Sequence, residues 1–343
     1  MATLAPTPAD LTITPRDRRF GRDTAQRHWW HGGNPFATAM YNALSATFPK
    51  GEAFFVESVR NFREGTPPKL AEEIKAFTTQ EVIHSREHLA FNRQAADAGY
   101  DLSALEERVA WRLDLTRSRP PIASLAATMA LEHFTAILAH QLLANPVHLA
   151  DADPEAADLW RWHACEEIEH KGVAYDTWLH ATRHWPRSKR WKVKAKVMML
   201  VTRNFVVDRT FGALELLRQD GITGLRAWIP LLWYLWIRPG MMRRIARAWA
   251  SFFMPGFHPW NEDDRHLVSA YEAAVASTPV PEKQVRRARA AALGRGVAVR
   301  SVSGPVPAPR QPAPYLLLPR PPAPAASAGP APRLHARSSS AGR

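Results

Sequence analysis

Gln80-Glu81-Val82-Ile83-His84 and Glu166-Glu167-Ile168-Glu169-His170 carry one pattern twice, a glutamate three residues ahead of a histidine. No other histidine in the chain has a glutamate at that offset. On a helix, residues i and i+3 share a face, so each pair can hold one metal ion between carboxylate and imidazole. A single Glu-x-x-His arises by chance about once in a chain of this size. Two copies on two long amphipathic helices, with two further helices each offering an inward glutamate, match the di-metal carboxylate bundle. The expected fold is all-α: a ferritin-like four-helix bundle with additional C-terminal helices and a disordered tail.

The flanks of both motifs sustain the helical period. From Pro68 to about Ala98 an apolar stripe runs through Leu70, Ile74, Phe77, Glu81, His84, His88, Phe91 and Ala95, and Gly99 ends it. Ionisable groups in the middle of such a stripe are costly unless something pairs with them. Asp153-Pro154 opens a helix running to about His184, with Leu159, His163, Glu167, His170, Ala174 and Thr177 on one face. Between these two, Ile122 to Ala144 aligns Leu125, Met129, Glu132, Ala136, Ala139 and Leu143. Ahead of them, Pro49 to about Arg63 places Glu52 one turn before Phe55, Val56, Val59 and Phe62, while Glu57 points away. A connection over 100–118 with a short helix gives two helices, a crossover and two more helices, the ferritin-like order.

Glu52, Glu81, Glu132 and Glu167 thus take inward positions. Four carboxylates brought together repel and mostly protonate unless cations neutralise them. Two metal ions supply that charge, and His84 and His170 complete the set. Imidazole and carboxylate without thiolate suit iron first, with manganese and zinc also accommodated. The competing reading makes the glutamates ordinary exposed helix residues. His163, four residues before Glu167, shares its face and is either a further ligand or a core histidine bonded to a ligand carboxylate. His88, one turn from His84, reads as a ligand, as a donor behind the ligands bonded to one of them, or as a proton carrier, the second being favoured. His133 is turned about 100° from Glu132 and is not expected to bind metal. Cys165 reads as a packed thiol and His258 as structural.

Four segments follow: an N-terminal arm (1–35) whose Trp29-Trp30 pair docks on the core, the di-metal bundle (36–185), covering helices of the same domain (186–277), and a tail (278–343). The tail is rich in Pro, Ala and Arg and too poor in apolar surface to fold. The covering segments are Val193–Leu217 and the Trp-rich Leu225–Phe253, broken by Pro230 and Pro239. The uncharged run from Ala227 to Ile237 is too short to span a bilayer. With Arg238, Arg243, Arg244 and Arg247 following, these helices either cover the bundle or lie on a membrane surface with a basic face.

The formal charge is +13 over 343 residues. About ten of those charges fall in the tail, which has eleven Lys/Arg and one acidic residue, so the core does not read as a nucleic-acid binder. The single cysteine excludes an intrachain disulfide and a thiolate metal site. The first 33 residues hold no apolar segment of the secretory kind. A cytoplasmic location is expected, with a peripheral place at the inner membrane surface left open.

Phe48-Pro49-Lys50-Gly51-Glu52-Ala53-Phe54-Phe55, Gln80-Glu81 through His84, His88 and Asn92, Glu132-His133, Trp162-His163 through Glu167 and His170, and Gly256-Phe257-His258-Pro259-Trp260 together resemble a bacterial family described as predicted metal-dependent hydrolases. The resemblance covers roughly residues 15–275. The ligand pattern, with His163 ahead of Glu167, is also similar to that of di-iron arylamine N-oxygenases. It implies metal ligation by Glu52, Glu81, His84, Glu132, His163, Glu167 and His170, with His88 and Asn92 behind them.

Three functions compete. The first is a di-iron enzyme activating oxygen on a small, hydrophobic organic substrate, served by an electron donor. The second is a hydrolase using a metal-bridging hydroxide, as the family description implies. The third is a non-enzymatic metal- or membrane-surface-binding protein.

Overall fold

The computed structural model describes residues 7–21 and 25–277, and among these it is all helix and turn, with no strand. Prolines in the first turn, where a missing N–H removes no helical bond, open several helices: α1 (Pro35–Ser45), α2 (Phe48–Arg60), α3 (Pro68–Asp97), α5 (Pro121–Ala144) and α6 (Pro154–His170). Asn34 caps α1 by accepting from the backbone N–H groups of Phe36 and Ala37. The remaining helices are α4 (Ser103–Arg117), α7 (Val173–Ala181), α8 (Arg187–Gln219), α9 (Leu225–Trp236), α10 (Met241–Ser251) and α11 (Arg265–Ser277).

Helices α2, α3, α5 and α6 form the bundle: α2 packs on α3 and α5, and α6 packs on α5 and α3. Their inward faces bury Phe54, Phe77, Ile74, Leu125, Met129, Leu159, Trp162 and Ile168 almost completely. Each large side chain contributes on the order of 1.5–3 kcal/mol by leaving water, which makes this layer the main source of stability. Helix α5 is long and apolar enough to cross a membrane, but 72% of its apolar window is buried, as befits the central core helix. Helix α4 is the crossover, and it leans on α2 and α5. Helices α8 and α10 cover α5, and α11 covers α6. Asp208 of α8 accepts from Nε of Arg108 (2.6 Å) and of Arg112 (3.0 Å), fixing α8 to α4.

The arm is docked. Trp30 is fully buried against Tyr41 and Phe91 and donates from Nε1 to Asn42 Oδ1 at 2.9 Å. Trp29 is more exposed and donates to Asp220.

Three expected boundaries change. The helix expected over 154–184 is two helices, divided at Lys171-Gly172. The backbone there passes so close to the arm and the C-terminal loop that a Cβ on Gly172 would meet Thr7 Oγ1 at 2.8 Å and Trp260 Nε1 at 2.9 Å. Pro230 does not break its segment but lies inside α9. The bond it forgoes would have gone to the carbonyl of Arg226, an exposed residue in the first turn where water can replace it. The apolar segment expected over 193–217 is part of the longer α8, which already begins at Arg187 in a basic stretch. The tail expected over 278–343 lies outside the described residues.

Candidate metal centre

All seven residues expected to bind metal meet in the middle of the bundle. Helix α2 brings Glu52, α3 brings Glu81 and His84, α5 brings Glu132, and α6 brings His163, Glu167 and His170. None is more than 4% exposed, which disposes of the exposed-glutamate reading. Nε2 of His170 lies 3.3 Å from Glu81 Oε1 and 3.7 Å from Glu167 Oε1, and its Nδ1 is 3.1 Å from Glu132 Oε2. Nδ1 of His84 lies 3.7 Å from Glu167 Oε1. His163 turns Nε2 to the same Glu167 oxygen at 2.7 Å and to Glu52 at 3.9 Å. Glu81, His84, Glu167 and His170 offer ligand atoms all within 4.8 Å of one another, and Glu52, His88 and His163 form a second such group.

Behind these stand groups that orient them. Glu166 Oε2 accepts from His84 Nε2 at 2.9 Å, which fixes the tautomer and turns the bare Nδ1 lone pair toward the cluster. Glu166 is held in turn by the backbone N–H of Arg16 at 2.8 Å. The Arg16 guanidinium grips both oxygens of Glu169 at 2.9 and 2.7 Å, and Gln80 Nε2 donates to the same carboxylate at 2.9 Å. On the other flank, His88 places Nε2 2.6 Å from His163 Nδ1 and Nδ1 2.8 Å from Ser45 Oγ. Both His88 nitrogens are thereby engaged, one by His163 and one by Ser45. Asn92 reaches it only through Ser45, whose hydroxyl donates to Asn92 Oδ1 at 2.6 Å. Ser85 donates to Glu52 Oε2 at 2.8 Å.

The electrostatics follow from confinement. Burial pushes the Glu52 and Glu81 carboxyls well above the usual range, and neighbouring carboxylates add to the rise. Burial also lifts Glu132 to about 7. At Glu167 burial is outweighed by the imidazoles of His170, His163 and His84, which hold it at about 2. His170 runs the other way: Glu167 and Glu132 overcome burial and raise it to about 9. The opposite directions at the buried acids and at His170 have one cause: crowded carboxyls in a dry interior favour positive charge among them.

Metal fits this shell. Seven buried polar atoms of the cluster have no hydrogen-bond partner: Oε1 of Glu52 and of Glu132, both oxygens of Glu81, Oε2 of Glu167, Nδ1 of His84 and Nε2 of His170. Leaving a buried polar atom unsatisfied costs about 1–3 kcal/mol, more if charged. So many on facing helices identify a place for cations rather than a packing fault.

The remaining candidates behave as structural groups. His133 Nε2 is 3.1 Å from the carbonyl of Ala248 on α10. Cys165 is buried, and burial raises its thiol far above the usual value. His258 bonds Asp176 Oδ1 at 2.9 Å and accepts from the N–H of Trp260. His140, Glu262 and Asp264 converge as well, but there Asp264 is already paired with the Lys171 ammonium at 2.7 Å. Beside them lies a cleft of about 620 Å³ whose wall includes His133 and Lys171, the residues next to Glu132 and His170, and Ala136, one turn beyond Glu132.

Arg16, Gln80, Glu166 and Glu169 were not assigned roles from the sequence. A signal existed for two of them, since Glu166, Glu167 and Glu169 crowd three acids into four residues of a buried helix. Nothing in the spacing points to Arg16, 150 residues away.

A buried carboxylate–imidazole cluster drawn from four packed helices defines a metal-binding helical bundle. The chain belongs to the family described as predicted metal-dependent hydrolase, whose model matches residues 14–263. The match thus takes in the arm residues Thr14 and Arg16 along with the bundle and the loop carrying Trp260. Searches of curated proteins and of solved structures gave no match.

Proposed function

We propose that Glu52, Glu81, His84, Glu132, His163, Glu167 and His170 hold two metal ions in a ferritin-like bundle, and that the chain is a hydrolase of a small molecule. The observation that carries this is the set of seven buried carboxylate and imidazole atoms left without a hydrogen-bond partner in the middle of the bundle. The family description supports hydrolysis over the oxygen chemistry expected first. Bound ions would supply Lewis acidity toward a carbonyl or phosphoryl group and an activated water, and a redox metal could also pass electrons to oxygen. The chain's own part is to hold the His84 lone pair inward through Glu166, to keep His163 aimed between Glu52 and Glu167 through His88, and to exclude bulk water. We assign substrate entry to the cleft behind His133, Ala136 and Lys171.

The second reading, oxygen activation by iron with an external electron donor, is supported by the dryness of the interior. Phe55, Phe77 and Met129 wall it, none more than 5% exposed, which suits an apolar substrate and an oxidant kept from water.

Metal exchange decides between the two. On the hydrolase reading, zinc-loaded protein cleaves nitrophenyl ester or phosphoester probes, and Glu81→Ala and Glu167→Ala abolish cleavage. An inert zinc form beside a reduced iron form that consumes oxygen would establish the second reading. Protein that takes up no metal under either condition would overturn both.

A further inference from the structure

Helix α9 is built with its apolar residues on both faces. Ala227, Leu231 and Leu235 are buried against the rest of the fold. On the opposite side, Trp228, Ile229, Leu232, Trp233, Trp236 and Ile237 are each between 39 and 61% exposed. They recur at spacings of three and four, so they form one continuous stripe rather than scattered surface residues. Three of the six are tryptophan.

The charge along this stretch of chain is of one sign. From Gly221 to Asn261 the chain has no acidic residue and five arginines: Arg226, Arg238, Arg243, Arg244 and Arg247. All five are exposed. The hydrogen bonds that Arg243 and Arg244 make run to the backbone carbonyls of Trp236 and Pro239, so they leave the guanidinium charge uncompensated.

We propose that α9 and these arginines dock the chain on the surface of an anionic lipid bilayer. The stripe enters the interfacial layer, where tryptophan rings are favoured, and the arginines meet lipid phosphates. At 12 residues α9 is about 18 Å long, too short to span a bilayer, so it lies in the plane of the surface. A second copy of the chain is a poor occupant. A two-fold contact through this face would bring five arginines toward their five equivalents, with no acid in the stretch to pair with them. Arg244 and Arg247 also line the cleft beside the candidate centre, so docking sets that cleft next to the lipid. The inference stands on surface residues alone and does not depend on the reaction.

The test is co-sedimentation of the full chain with vesicles of phosphatidylcholine alone and of phosphatidylcholine with phosphatidylglycerol. The expected result is binding to the anionic vesicles that weakens with added salt. Trp228→Ser with Trp233→Ser and Trp236→Ser should weaken it at least ten-fold, and so should Arg238→Gln with Arg243→Gln. Helical signal and metal content should match the wild type in both variants. Because the basic tail is present throughout, wild-type binding by both variants would place lipid affinity in the tail and overturn the proposal. So would equal binding to uncharged vesicles. A dimer in sedimentation equilibrium that dissociates in the tryptophan variant, with no vesicle binding in the wild type, would give the face to a second copy instead.

Discussion

Inside the bundle, seven ionisable side chains are buried where apolar ones would pack with less cost, whereas on α9 six large apolar side chains face solvent where charge would cost nothing. Both regions are well-formed helix, so neither is a failure of folding. The difference lies in what each lacks. The interior has donor atoms without partners and carboxyls driven upward by their own crowding, a deficit that cations fill. The α9 face has unburied apolar area and unneutralised cations, a deficit that an anionic surface fills. A sequence consistent at every level breaks its own rules where it binds something.

The contrast breaks most readily at the centre. If the cluster is completed by metal, stripping the ions should lower stability by about 4 kcal/mol at metal concentrations a thousand-fold above the dissociation constant. Thermal denaturation of loaded and chelator-treated protein reads this directly, and elemental analysis should approach two ions per chain. Glu81→Gln sharpens the comparison. In stripped protein it should cost nothing or stabilise, since it removes a carboxyl whose ionisation is opposed by burial and by Glu132 and Glu167. In loaded protein it should destabilise. Identical melting with and without chelator would mean that the buried acids are held by something other than metal.

A smaller effect is expected one layer out. Arg16→Ala leaves Glu169 without its two-pronged partner and removes the charge nearest Glu166, whose carboxyl burial already raises to about 7. Breaking a buried pair from one side costs about 3–5 kcal/mol, and because the Arg16 side chain is 16% exposed the expected loss is about 2–3 kcal/mol. Arg16→Lys should recover only part of it, because an ammonium cannot grip both oxygens at once. A loss below about 0.5 kcal/mol would make the arm a surface ornament rather than the outer wall of the centre.

These two layers were not equally legible in the sequence. Glu81, His84, Glu167 and His170 announce themselves because their chemistry is written at i and i+3 on a single helix, and Glu52 and Glu132 because each interrupts an apolar stripe. The all-helical bundle follows from the same stripes. Arg16 could not be read, since its partners are fixed by where the arm lies and local periodicity carries no such information. The division at Gly172 was hidden for a related reason: the backbone yields there to Thr7 and Trp260, one distant in sequence on each side. Pro230 was misjudged because the carbonyl it leaves without a helical partner, that of Arg226, lies in an exposed first turn where water can serve it, and the sequence alone does not show that exposure.

The smallest effect is expected on α9, and its smallness is the point. Surface side chains that touch nothing change stability by no more than about 0.5 kcal/mol. Trp233 is 57% exposed, so Trp233→Ser should stay within that limit, the more so because Trp and Ser have similar helix propensities. Leu231, two residues earlier on the same helix and fully buried, provides the reference: Leu231→Ala should cost about 2–5 kcal/mol through lost burial and the cavity left behind. Chemical denaturation of the two variants measures both, and the ratio matters more than either value. A large gap means that the fold uses only the inner face of α9, leaving the outer stripe free to serve an external surface. Near-equal losses would mean that Trp233 is packed in solution, against another copy or another part of the chain. The apolar stripe would then belong to the same stabilising core as the bundle, and the contrast between the two regions would disappear.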